Sequence, residues 1–141
     1  MTYIEKIKEF ECALTPDFSL YMDMPRAMKI WNTYRSRLIG QMMQDNGIEV
    51  IPTINWAEKE TYDFCFAGIP KGSIVSRSTL SCKKDEALKE MWCNGCDEML
   101  RRLEPRAIVL YGGRIDGYDF GDTEVIEYDN HVTKQMRENY G

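Results

Sequence analysis

Ala107-Ile108-Val109-Leu110-Tyr111, running straight into Gly112-Gly113-Arg114, is the stretch that decides the fold of this 141-residue chain. Five apolar residues without polar alternation are expected of a central parallel strand covered on both faces, and are too few for a helix. The glycines stop the run where such a strand would end. A parallel strand needs a crossover before it, and the preceding segment supplies one. Between Lys84 and Leu103 the residues Leu88, Met91, Trp92, Cys96, Met99, Leu100 and Leu103 recur at helical spacing, and Pro105 ends the pattern.

Working outward, Ser73 to Thr79 is the strand before that helix. Ile48 to Ile54 is a strand before it, with Pro52 marking an edge or an early finish to pairing. Phe10 to Leu14 is the first run, stopped by Thr15-Pro16-Asp17. Pro25 suits the first position of a helix, and Ala27, Ile30, Trp31, Tyr34, Leu38 and Met42 follow at spacings of three and four. That stripe is read as the face packed on the core, and Asn46-Gly47 closes the helix. Ala57 to Asp63 is short enough for a single turn, Phe64 to Phe66 reads as a small extra strand, and Gly68 to Gly72 as a turn. Val125 to Tyr128 reads as a last strand and His131 to Tyr140 as a terminal polar helix. Alternating strands and helices predict an α/β domain over residues 1–141, with a mainly parallel sheet and flanking helices. Its core is expected over about residues 10–114, with an acidic extension over about 115–141. The sheet is expected to be an open three-layer sheet or a half (β/α)-barrel, since a full barrel typically takes about 250 residues.

Composition narrows the partners. A net charge of −5 argues against a broad basic surface, so no direct DNA binding is expected. No stretch approaches the roughly 18 apolar residues of a membrane span. Met1 to Glu11 carries charges throughout, so no signal peptide is expected there. With neither, the chain is expected in the cytoplasm, and its five cysteines, an odd number, are read as reduced thiols. Cys93-Asn94-Gly95-Cys96 is a lone CxxC within a helix, where Cys96 continues the buried stripe and Gly95 permits close packing. With His131 the only histidine, the set of four ligands a zinc site needs is poorly supplied. No metal site and no cofactor are therefore named.

In a parallel α/β sheet, ligands bind outside the edge formed by the strand C-termini. The strands here end in Asp17, in Asn55 and Trp56, in Ser78, and in Tyr111, Gly112, Gly113 and Arg114. Asp17 could serve as a general base or metal ligand, or simply shape a turn. Asn55 and Ser78 could orient a ligand, and Trp56 could stack on it or pack over the sheet end. Gly112-Gly113 with Arg114 could hold an anion, although no GxGxxG or Walker pattern accompanies them. Beyond Arg114 lie Asp116, Asp119, Asp122, Glu124, Glu127 and Asp129 with no Lys or Arg among them. The spacing of three does not match an EF-hand loop.

Several segments together resemble a known family. They are Leu14-Thr15-Pro16-Asp17-Phe18-Ser19-Leu20-Tyr21-Met22-Asp23-Met24-Pro25, Ile30-Trp31-Asn32-Thr33-Tyr34-Arg35-Ser36-Arg37-Leu38, Val50-Ile51-Pro52-Thr53-Ile54-Asn55-Trp56 and Phe64 to Ser73. The resemblance is to the bacterial, phage and mobile-element proteins grouped as domain of unknown function 4417. Pro16 to Tyr21 and the pair Asn32 and Arg35 are its distinctive parts. Members begin with a further N-terminal stretch, most of which this chain is expected to lack. The resemblance implies a phage or mobile-element setting inside a bacterial host cell, and carries no activity.

Two functions of different kind follow. In one, the rim holds a nucleotide-like or phosphorylated small ligand through Asp17, Asn55, Trp56, Ser78, Tyr111, Gly112, Gly113 and Arg114, with or without chemistry at Asp17. In the other, the chain is a non-enzymatic interaction protein. It would then inhibit a bacterial host or defence-system macromolecule through Asp116, Asp119, Asp122 and Glu124.

Overall fold

The computed structural model describes residues 12–128. Five parallel strands follow one another in space as they do in sequence: β1 (Cys12–Leu14), β2 (Glu49–Ile51), β3 (Ile74–Ser78), β4 (Ala107–Tyr111) and β5 (Glu124–Tyr128). β1 and β2 form one ladder and β3, β4 and β5 another. A parallel bridge between Thr53 and Ser76 joins them, sealed by Ile54 N–H to Ser76 O at 2.9 Å and Ser76 N–H to Pro52 O at 2.8 Å. Pro52 thus contributes only its carbonyl, and β2 leaves its ladder early at that proline.

The crossovers are α1 (Arg26–Asp45), a 3₁₀ turn (Lys59–Asp63) and α2 (Glu86–Leu103). α2 starts on Asp85, whose carboxylate accepts from Ala87 N–H at 2.8 Å and Leu88 N–H at 3.2 Å. Its buried side, Trp92, Cys96, Met99 and Leu103, packs with Val75, Ile108 and Leu110. α1 sets Gly40 and Ser36 against Thr15 and Val50. Ile51 clusters with Ile74 and Val109 on the opposite face, so its neighbour Val50 shares the face of Val75 and Ile108. Both described helices therefore lie on one face. Sequential parallel strands joined by right-handed crossovers produce this placement, that of a barrel segment rather than a doubly wound sheet. Among the described residues the sheet does not close.

Three expectations change. Phe64 to Phe66 is a set of turns rather than a strand, because Thr61 O takes the Phe64 and Cys65 N–H groups locally. The segment expected as an acidic extension sends Ile115 and Phe120 into the core, with Tyr118 packed against it, and its residues 129–141 lie outside the described ones. The largest correction concerns α1. Its apolar stripe points outward, with Trp31 56% and Tyr34 55% exposed, while Lys29, Asn32, Ser36 and Gly40 face the sheet. The start of the first strand at Phe10 and the helix expected over His131 to Tyr140 lie outside the described residues.

Candidate functional site

The loop after β1 is built by α1. Asn32 donates to Ser19 O at 3.1 Å, Ser36 Oγ donates to Pro16 O at 3.2 Å, and the Arg35 guanidinium lies 3.7 Å from the centre of the Phe18 ring. Arg35 is itself aimed by Asn32 Oδ1 at 3.2 Å. Polar residues buried on α1 thus hold the loop's backbone, which leaves Asp17, Tyr21 and Met22 exposed at its tip.

That loop forms one wall of a cavity of about 310 Å³ at the C-terminal ends of the strands. Asp17, Asn55, Arg77 and Ser78 supply polar lining, and Leu20, Trp56, Met91 and Trp92 apolar lining. A hydrogen-bonded chain crosses it. Asp17 Oδ1 accepts from Asn55 Nδ2 at 2.7 Å, and Asn55 Oδ1 accepts from Arg77, which also donates to Ile54 O at 3.2 Å. The guanidinium of Arg77 lies 4.1 Å from the centre of the Trp56 ring. No described carboxylate reaches Arg77 directly, and its buried Nε has no hydrogen-bond partner. Burial lowers its pKa to about 10, with the charge of Asp17 working the other way. Arg77 is the one cation among the described residues lining the cavity.

The expected rim residues divide. Asp17, Asn55, Trp56 and Ser78 line the cavity. Trp56 is only 2% exposed and packs tilted against Trp92 and Phe66, so it forms a wall rather than an open stacking platform. Tyr111, Gly112, Gly113 and Arg114 do not line it. The carbonyl of Tyr111 accepts from Thr79 N–H at 2.8 Å, that of Gly113 from Thr79 Oγ1 at 2.8 Å, and that of Gly112 from Lys83. Arg114 reaches across to Glu127 at 3.5 Å. It follows β4, three strands from β1, about 14 Å away at strand spacing. Asp116, Asp119, Asp122 and Glu124 are exposed, with Asp119 accepting from Gly121 N–H at 2.8 Å in a turn.

Sequence reasoning missed Arg77. The signal was a charged residue inside Ile74-Val75-Ser76-Arg77-Ser78, a strand otherwise suited to burial. The thiols offer little reactivity there. Burial pushes Cys65 and Cys96 up to about 12, and Cys82, on the cavity wall, is raised for the same reason.

The segments that shape this rim are those of the family resemblance. A family model described as "Domain of unknown function (DUF4417)" matches residues 1–129. The chain belongs to that family. Among relatives, this DUF4417 chain is 41% identical over 134 residues to the Gene 1 protein of Mycobacterium phage L5, covering 95% of the chain and 58% of that protein. It is 39% identical over 135 residues to the Gene 1 protein of Mycobacterium phage D29, covering 96% of the chain and 50% of that protein. The chain thus spans about half the length of the curated relatives it matches. No solved structure matches it. No described helix is long and apolar enough to cross a membrane.

Proposed function

We propose that the domain binds a small anionic ligand of mononucleotide size in the cavity bounded by Asp17, Asn55, Arg77 and Ser78. One observation carries this reading: Arg77 is buried at the cavity edge without a direct carboxylate partner. A buried guanidinium stripped of water is costly unless an anion meets it. Asp17 offsets part of that charge from a distance, hydrogen-bonded to Asn55 rather than to Arg77 itself. A phosphate or carboxylate at the cavity edge would complete the arrangement, while Leu20, Met91 and Trp92 receive an apolar or flat body. A volume of about 310 Å³ lies at the small end of ligand pockets, in keeping with a single nucleotide unit. Whether Asp17 also accepts a proton from such a ligand depends on the ligand bound.

Tryptophan fluorescence reads the test directly, because Trp56 and Trp92 border the cavity. The distant Trp31 is replaced by Phe to remove its signal. Titration with adenosine monophosphate, guanosine monophosphate and ribose 5-phosphate is expected to give a saturable change with at least one of them. No change with any of the three up to millimolar concentration defeats the anion-site reading.

A second reading rests on the loop between β4 and β5. There Ile115 and Phe120 turn inward while Asp116, Asp119, Asp122 and Glu124 remain exposed on a firmly packed base. Such a surface would steer a basic macromolecule of the bacterial host. On that reading, changing Asp116, Asp119 and Asp122 to Asn slows association at low salt, and Arg77 is irrelevant to it.

A further inference from the structure

We infer that α1 is the interface of a homodimer, in which two copies of this chain pair their α1 helices antiparallel. The outward stripe of α1 is Ala27, Trp31, Tyr34 and Leu38, continued by Gln41, Met42 and Asp45. Apart from Met42, which stands beside Gln41, these positions alternate by four and three, the spacing of a helix–helix seam. Trp31 is 56%, Tyr34 55%, Leu38 42% and Met42 57% exposed, and Met28 and Ile30 flank them at 50% and 41%. Six large side chains, each half open, present on the order of 600 Å² of apolar surface, close to one partner's share of a standard interface. Trp31 and Tyr34 already stack on each other with centroids 5.8 Å apart, a rigid aromatic anchor of the kind that dominates binding energy.

Charge selects a second copy, and its direction. α1 carries no acidic residue in its first turn and no basic residue in its last. Instead Arg26 stands at the positive end of the helix dipole and Asp45 near the negative end, each opposed to the field it meets. An antiparallel copy reverses both, bringing its Asp45 beside Arg26 and its Arg26 beside Asp45. Within one chain Arg26 reaches Asp63 at 3.6 Å, the carbonyl of Glu60 at 3.3 Å and the Phe64 ring at 5.3 Å, and Asp45 accepts from Gln41 at 2.9 Å, so both ends keep charge at the exposed surface. With the two-fold axis near Ser36, Tyr34 of each helix faces Leu38 of the other, and Trp31 comes level with Gln41. Gln41 borders a groove of about 540 Å³ that Tyr34, Leu38, Ile69 and Pro70 also line, and this register places the other copy's indole at its edge. The self-complementarity of this patch is what a two-fold interface demands.

The test is the mass of the full chain in solution. Sedimentation equilibrium from 1 to 100 µM is expected to show self-association from 16.5 kDa towards twice that mass. Trp31→Glu and Leu38→Glu are expected to raise the dimer dissociation constant roughly 30-fold, the effect of losing an interface anchor. Their far-UV circular dichroism should be unchanged, since both side chains are exposed. Arg26→Glu alone and Asp45→Arg alone should each weaken the dimer, and the two together in one chain should restore it. That restoration tests the register with variants that leave the apolar stripe intact. A wild-type chain monomeric at 100 µM overturns the inference, as does a dimer indifferent to the stripe variants. Failure of the charge swap to restore a dimer that the stripe variants break overturns the antiparallel arrangement. A monomer that binds 1:1 to the part of a phage Gene 1 protein beyond the matched region assigns the face to that segment instead.

Discussion

Gly95 shows at the scale of one residue how the sheet end and α2 approach. A Cβ built there would lie 2.1 Å from Cδ1 and Nε1 of Trp56, inside any permitted contact. The indole is buried, with its Nε1 unpartnered, and it could relieve the contact only by swinging into the cavity it walls. Gly95→Ala gains at most about 1 kcal/mol in helix propensity. Overpacking a closed core typically costs about 1–3 kcal/mol, and here the collision is with a ring held by Arg77 and Trp92. The clash wins. The variant is expected to be less stable by about 2 kcal/mol in urea denaturation, and equal or greater stability would show that Trp56 can move. Because Trp56 also walls the cavity, any motion there would register at the candidate site.

At the scale of elements, α1 separates what periodicity reveals from what it hides. The spacing of Trp31, Tyr34 and Leu38 announces a helix, and the helix is present over Arg26–Asp45. Which face is buried depends on the neighbours, and the side towards the sheet needed small and hydrogen-bonding groups. Gly40 lets Thr15 approach, since a Cβ there would sit 2.9 Å from its methyl. Ser36 and Thr15 bond at 3.2 Å, and Lys29 reaches Glu58 and the carbonyl of Met22. A polar interior of this kind leaves no apolar signature, so hydrophobic patterning assigned the wrong side. By contrast α2 packs its stripe as expected, because Val75, Ile108 and Leu110 offer it only apolar surface. The consequence is measurable. Trp31→Ala, examined at a concentration where the chain is monomeric, should change stability by no more than about 0.5 kcal/mol. Asn32→Ala, which removes the clamp on Ser19 and the guide for Arg35, should cost about 1–2 kcal/mol. The opposite ranking in thermal or urea melts would return the apolar stripe to the core.

For the whole molecule, strand order determines which rim residues can act together. Asp17, Asn55 and Arg77 follow or end neighbouring strands β1, β2 and β3, and they meet in one hydrogen-bonded chain. Arg114 follows β4 and is drawn towards β5 by Glu127. A list of strand ends contains both sets, but only their lateral order separates them, and that order is invisible without the sheet. On the proposed anion-site reading Arg77, rather than Arg114, is the group that meets the ligand, and the two make opposite predictions. Removing one partner from a buried hydrogen-bonded set leaves the other groups unsatisfied, at about 1–3 kcal/mol. Arg77→Met takes the donor from Ile54 O and Asn55 Oδ1 and the cation from the Trp56 ring, so it should cost stability of that order while removing the anion's partner. With the mononucleotide that gives the strongest fluorescence response, Arg77→Met is expected to lose at least about tenfold in affinity, the value of one hydrogen bond to a charged group. Asn55→Ala should weaken binding less, and Arg114→Ala should leave it unchanged. A binding loss in a variant whose circular dichroism shows it still folded marks a charge that meets the ligand. If Arg77→Met, still folded, binds as wild type does, then Arg77 serves the structure alone and the cavity loses its anion hook.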